Sequence, residues 1–261
     1  MEIPFFHVDA FTDKIFAGNP AGVCPLDNWL DDTILLNIAS ENNLAETAFF
    51  VKTGEDFHLR WFTPEIEMDL CGHATLATAH VIFNYSGYSS DKIIFHSQSG
   101  DLTVSRNQHQ LTLNFPARMP VKADLPDVIL QGIGVKPEEV YLSRDYVLVY
   151  KTEEEIRHIK PNQAILNTIN LDPGGIIVTA KGKTVDFVSR FFTPQASIFE
   201  DPVTGSAHCS LVPFWAERLE KKQLKALQLS KRQGELTCEY LGNRVLIGGE
   251  CITYSEGKII I

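Results

Sequence analysis

The sequence predicts an α+β fold of two related halves, each a curved, barrel-like sheet around one buried central helix. Three observations predict it. Residues 56–64 read DFHLRWFTP and residues 186–194 read DFVSRFFTP, 130 positions later, with seven of nine positions identical or exchanging one aromatic for another. Each copy is followed by a short link and a glycine-led run of small and apolar residues, GHAT from Gly72 and GSAH from Gly205. Around these lie many short segments of β-branched and aromatic residues, the composition of strands. One repetition of so long a period marks a duplicated domain, because solenoids need shorter units in greater number.

Taken in order, residues 31–41 place Ile34, Leu35 and Ile38 on one helical face. Strands are predicted at 47–52 and 57–62. Residues 74–83 (ATLATAHVIF) carry no charged face, and a helix apolar all round is buried on every side. Strands follow at 92–96, 102–105 and 110–115. Residues 117–127 (ARMPVKADLPD) turn Pro-rich and polar, as a linker does. The domains are therefore predicted as 1–116 and 117–261, with the last strand free to return to the first. In the second half, strands are predicted at 146–150, 176–179 and 184–192, and Asp172-Pro173-Gly174-Gly175 reads as a turn. A second buried helix covers 207–215, an amphipathic helix 215–227, and strands 244–247 and 258–261.

A length of 261 residues suits one large domain or two of about 130. The net charge of −10 argues against nucleic acid or an anionic membrane as partner. An anionic small molecule stays open, because helix N-termini can hold one locally. No stretch approaches the ~20 apolar residues of a membrane span, and Met1 to Asp9 has no basic region followed by an apolar core. Five cysteines, at 24, 71, 209, 238 and 251, are an odd number without paired spacing, which predicts a reducing compartment and a cytoplasmic protein.

Both glycine-led helices begin with unpaired backbone N–H groups and a positive dipole end. If the halves are pseudo-symmetric, the two starts can hold one anion between them; the plainer alternative is that Gly72 and Gly205 merely permit tight turns. Titratable residues crowd these points: Asp69, Cys71 and His73 in the first half, Glu200, Asp201 and His208 in the second. Glu46 stands in NLAETAFF where a predicted helix gives way to an apolar strand. Such neighbours desolvate a carboxylate and favour its use as an acid–base group; the alternative is a solvated loop acid. Cys71, His73, His80, His208 and Cys209 match no common zinc spacing, His80 reads as a core histidine, and no glycine-rich nucleotide motif is present. Neither a metal nor a cofactor is expected.

NPAGV at 19–23, NLAETAF at 43–49, RWFTP at 60–64 with DLCGHAT at 69–75, SQSGDL at 97–102 and EDPVTGSAH at 200–208 together resemble the signature set of the PhzF family of phenazine biosynthesis, within the diaminopimelate epimerase superfamily. The resemblance spans nearly the whole chain. It implies a diaminopimelate epimerase-like pair of domains, a cleft between them, a homodimer, and cofactor-independent isomerisation of a small carboxylic acid by proton transfer. It further implies Glu46 as principal acid–base residue, His73 and Asp201 as assisting groups, and Gly72, Gly205 and Ser206 as binders of a substrate carboxylate. Epimerases of that superfamily use two cysteine thiols, one from each half. Here Cys71 precedes Gly72 but Thr204 precedes Gly205, which disfavours a two-thiol epimerase and leaves Cys71 as a packing residue. The non-enzyme alternative is a metabolite-binding homologue, against which Glu46, His73 and Asp201 speak.

Overall fold

In the computed structural model, residues 1–171, 174–196 and 198–261 are described. The chain divides into one unit of residues 1–115 and 247–261 and a second of residues 116–246. The C-terminal segment thus belongs with the N-terminal unit, because the last strand hydrogen-bonds along the first.

In the first unit, β1 (Glu2–Ala10) and β2 (Asn19–Leu26) pair antiparallel. Helix α1 (Asp32–Asn42) then carries the chain across to β3 (Glu46–Thr53), which runs parallel to β2. Leu35, Ile38 and Ala39 of α1 pack with Phe49 and Phe62 in one buried cluster. The helix stops at Asn43, whose left-handed backbone (φ 49°) donates its N–H to the Ala39 carbonyl, a common way to end a helix. Strand β4 (Asp56–Phe62) pairs antiparallel with β3. Its other edge is shared, with β5 (Glu67–Met68) opposite Trp61 and Phe62, and β6 (Lys92–Ser97) parallel to it at Phe57 and His58. The crossover from β4 to β6 is α2 (Gly72–Tyr85). β7 (Gly100–Asn107) and β8 (Gln110–Pro116) extend the sheet antiparallel.

The second unit repeats the plan. β9 (Val121–Lys122) and, after α3 (Asp127–Ile133), β10 (Glu139–Leu142) pair with each other, and β10 forms a hairpin with β11 (Tyr146–Val149). Helices α4 (Glu153–His158) and α5 (Gln163–Leu166) lead to β12 (Ile176–Lys181), parallel to β11. β13 (Phe187–Phe192) pairs antiparallel with β12. Its far edge is again split between β14 (Glu200–Asp201) and the parallel strand β15 (Gln223–Gln228), with α6 (Gly205–Leu219) as the crossover. β16 (Gly234–Tyr240) follows antiparallel to β15; β17 (Arg244–Gly249) returns the chain to the first unit, and β18 (Cys251–Ile260) pairs with β1.

Residues 73–79 and 81–83 of α2, and 207–216 of α6, are buried in consecutive positions, so neither central helix has a solvent face. Polar side chains inside α2 bond back to its own carbonyls: Thr75 to Cys71 and Thr78 to Ala74 at 2.8 Å. That removes the penalty of burying a hydroxyl.

The predicted helix 215–227 is corrected. Helix α6 ends at Leu219, Glu220 takes a left-handed conformation (φ 51°), and residues 223–228 are strand β15. QLKALQ buries Leu224, Ala226 and Gln228 in alternation, a period of two that fits a strand paired on both edges. The 117–127 segment likewise holds β9 and the first residue of α3. Of the turn read at 172–175, Asp172 and Pro173 lie outside the described residues.

Candidate active site

The site begins at the join of α1 and β3. The turn at Asn43 lets β3 start at Glu46, opposite Ala21 of β2. From there Glu46 meets the first turn of α2, where its Oε2 lies 3.1 Å from Nε2 of His73. The Glu46 side chain is 17% exposed and that of His73 6%, so the pair is nearly dry. The two atoms stand at ion-pair distance but off the line of a good hydrogen bond, and neither has another partner among the described residues. Their attraction is chiefly charge to charge, and both atoms can turn toward a third group.

The other edge of the imidazole is also engaged. The Asn19 side-chain amide nitrogen, fully buried at the start of β2, is 3.1 Å from His73 Nδ1, and Cys71 Sγ is 3.5 Å away. An amide can present either N–H or oxygen, so Asn19 suits both protonation states of the ring. Burial is the largest influence on His73 and pushes its pKa down, but neighbouring Cys71 and Glu46 together outweigh it and hold it well above the ordinary 6.5. Burial pushes the Cys71 thiol up, and the Glu46 charge adds to that against the pull of His73. Cys71 is buried and packs with its Sγ against the His73 imidazole.

In the second unit, Asp201 lies on β14 opposite Phe191. Its Oδ2 accepts from the Thr204 hydroxyl at 2.5 Å. Gly205 and Ser206 open α6 one residue later, as Gly72 and His73 open α2, and each first turn leaves N–H groups that the helix itself cannot satisfy.

The remaining titratable residues sort by environment. Asp69 is exposed. Glu200 is held bidentate by Arg190 at 2.7 and 3.0 Å, just as Arg60 holds Glu67 at 2.7 and 2.6 Å. The arginine of the repeated motif thus clamps the acidic link in both halves. His80 contacts Thr253 and Asn84, and burial lowers its pKa to about 4. His208 is fully buried; its Nδ1 donates to the Thr204 carbonyl at 2.8 Å and burial lowers it to about 4. Cys209 is buried, and its pKa is pushed up to about 12. Glu46, Cys71 and His73 offer donor atoms within 4.8 Å of one another. A metal there would need one of the two imidazole nitrogens, and these face Asn19 with Cys71 on one edge and Glu46 on the other.

Comparison with known proteins shows the family of the chain. The family model described as phenazine biosynthesis-like protein matches residues 8–257. An uncharacterized isomerase of Pseudomonas aeruginosa is 48% identical over 259 residues, covering 99% of each chain. The chain belongs to the phenazine biosynthesis-like (PhzF) family. A PhzF-family crystal structure from Enterococcus faecalis superposes over the whole of both chains with a TM-score of 0.96 at 47% identity. A hydroxyproline epimerase from Agrobacterium vitis, with trans-4-hydroxy-L-proline bound, shares the fold at a TM-score of 0.65 and 8% identity, over 99% of this chain and 92% of that one. The α+β fold is accordingly that of the PhzF and epimerase-like proteins.

The shared register also makes the halves comparable residue by residue. Thr47 pairs with Phe62 and Ile176 with Phe192, so the position of Glu46 falls to Gly175 in the second unit. Cys71 and Thr204 each cap a central helix. Sequence reasoning missed Asn19, although it lies in the NPAGV motif of the PhzF family, and also Gln228, which no motif marked.

Proposed function

We propose that this PhzF-family isomerase moves a carbon-bound proton on a small carboxylic acid by general acid–base catalysis, with Glu46 as the principal proton carrier. One observation carries the reading: a nearly dry carboxylate 3.1 Å from the buried imidazole of His73. A Glu46 oxygen takes the proton from substrate carbon, and the electron pair left behind delocalises into the substrate's carboxylate or adjoining double bond. The proton then returns at a second carbon. Atoms and electrons are conserved, so the step calls for no redox partner. The imidazolium of His73 stabilises the charge that develops, and a site shielded from water strengthens that effect.

Asp201 would assist in proton handling. Gly72, Gly205 and Ser206 would bind the substrate carboxylate through first-turn N–H groups and a hydroxyl. Thr204, where a two-thiol epimerase would carry its second cysteine, supports one principal carboxylate over two thiols. The same reading takes the protein to act without a cofactor, as a cytoplasmic homodimer. All five cysteines are free thiols and no helix among the described residues is long and apolar enough to cross a membrane; the homodimer rests on the family resemblance.

The test is solvent exchange. Ring-bearing and unsaturated small carboxylic acids are incubated in D₂O with the protein, and deuterium incorporation is read by NMR. Glu46→Gln, folded as the parent, should lose on the order of 100-fold or more of the exchange. Unchanged exchange in that variant overturns the assignment.

A further inference from the structure

We propose that Gln228 is a positioning residue for the start of α6: it holds the Thr204 hydroxyl away from its own helix and so keeps the first-turn N–H groups open for the substrate carboxylate. The proposal rests on the proposed role of Gly205 and Ser206 in binding that carboxylate, and it assigns a residue that no motif marks.

A threonine just before a helix ordinarily turns its hydroxyl back to accept from the second or third helical N–H, here those of Ser206 and Ala207. Thr204 stands at that position with extended backbone (φ −111°, ψ 98°), yet its side chain makes no such bond. Gln228 on β15 supplies the reason. Its side chain is fully buried, and Nε2 donates to Thr204 Oγ1 at 3.1 Å and to the Asp201 carbonyl at 2.8 Å. Its Oε1 accepts from the Thr204 backbone N–H at 2.9 Å. A flipped amide would set donor against donor at that N–H, so the orientation is fixed. The Thr204 hydroxyl also contacts the Asp201 side chain, and Gln228 grips the backbone at both ends of that contact. From below, His208 Nδ1 donates to the Thr204 carbonyl at 2.8 Å.

Leaving the helix start uncapped forgoes the stability that a threonine cap provides. The first half reaches the same state by another route. Cys71 precedes α2, makes no side-chain cap either, and has its Sγ 3.5 Å from His73 Nδ1. In each half, therefore, the residue at the cap position turns its polar atom away from its own helix. Within residues 203–216, Ser206 is the one residue that is not buried, so the helix start is where a ligand can touch this segment. A carboxylate arriving there meets N–H groups that no cap occupies, and the helix dipole favours its charge.

The experiment titrates full-length ¹⁵N-labelled protein with acetate as the probe and follows the Gly205 and Ser206 amide resonances, which should shift in the parent. Gln228→Met frees the Thr204 hydroxyl to cap, so the acetate dissociation constant should rise by about three- to tenfold, the worth of one capping bond. Thr204→Val added to that variant removes the competing hydroxyl and should return the constant to within about twofold of the parent. A merely structural role for Gln228 gives no such rescue. An unchanged constant in Gln228→Met, or a double variant as weak as the single one, overturns the proposal. A crystal structure of Gln228→Met reads the same device without an anion: Thr204 Oγ1 should have turned to the Ser206 or Ala207 N–H, and a hydroxyl left in place overturns the proposal. Should Gln228→Met fail to fold, Gln228→Ala removes the same donor and leaves room for water beside the freed groups, and it should show the same turn. Acetate that leaves both amides unshifted in the parent, while the hydroxyl turns in the variant, would count against the carboxylate role of Gly205 and Ser206 and leave the grip of Gln228 on Thr204 standing.

Discussion

At the scale of single residues, the decisive fact is that His73 is held between two unlike edges. Asn19 and Cys71 take Nδ1 and Glu46 faces Nε2. Burial alone would leave the ring neutral at physiological pH, and the neighbouring groups reverse that. The sign can be tested. Glu46→Gln removes one of the charges that raise the imidazole while leaving its burial, so the His73 midpoint should fall, as read from its ring proton shifts across pH 5–9. A midpoint unmoved by the substitution would show that Glu46 does not hold the proton there. Because the folded pKa lies above the unfolded one, the pair's contribution to stability is complete below about pH 6.5 and fades as pH rises through the folded value. Glu46 and His73 were legible in the sequence because each sits where an apolar segment meets an element end. Asn19 and Gln228 were not, since their partners lie 54 and 24 residues away and no local pattern announces such a meeting.

At the scale of elements, the repeated arginine does more than echo a motif. Arg60 bridges Glu67 on β5 and Asp32 at the start of α1. Arg190 bridges Glu200 on β14 and also donates through Nη1 to the Ile156 and Ile159 carbonyls, at 3.1 and 2.7 Å, where α4 ends. The same side chain thus ties a β-link to a helix in each half, by the helix's first residue in one and by its last carbonyls in the other. Arg190→Met keeps most of the stem but leaves a half-buried carboxylate and two carbonyls without their donor. It should destabilise the protein by about 2–4 kcal/mol in urea unfolding. A loss under 0.5 kcal/mol would show the clamp to be dispensable. Elements with strong patterns were readable beforehand: α2 and α6 have no polar face, and DF-x-x-R marks β4 and β13. Residues 215–227 were misread because Trp215, Leu219 and Leu227 also fall at helical spacing. Only pairing with β13 and β16 decides that 223–228 is extended.

At the scale of the whole molecule, each central helix carries an imidazole that burial lowers to about pKa 4, the half-buried His80 on α2 and the fully buried His208 on α6. An unfolded chain binds protons on these rings near pH 6.5, whereas the folded chain refuses them until about pH 4. Their contribution to stability is therefore complete above pH 6.5 and is lost as pH falls toward 4. For His208, which is fully buried, a lowering from 6.5 to about 4 corresponds to about 3 kcal/mol at most. This is large against the 5–15 kcal/mol that typically separates folded from unfolded domains. Urea unfolding at a series of pH values should show midpoints that decline steadily below pH 6.5. His208→Leu removes the proton uptake along with the bond to the Thr204 carbonyl, so it should be less stable at pH 7 yet decline less between pH 6.5 and 4.5. A decline as steep as the parent's would place the acid sensitivity elsewhere and weaken the case that His208 stays neutral to brace the helix start behind Asp201.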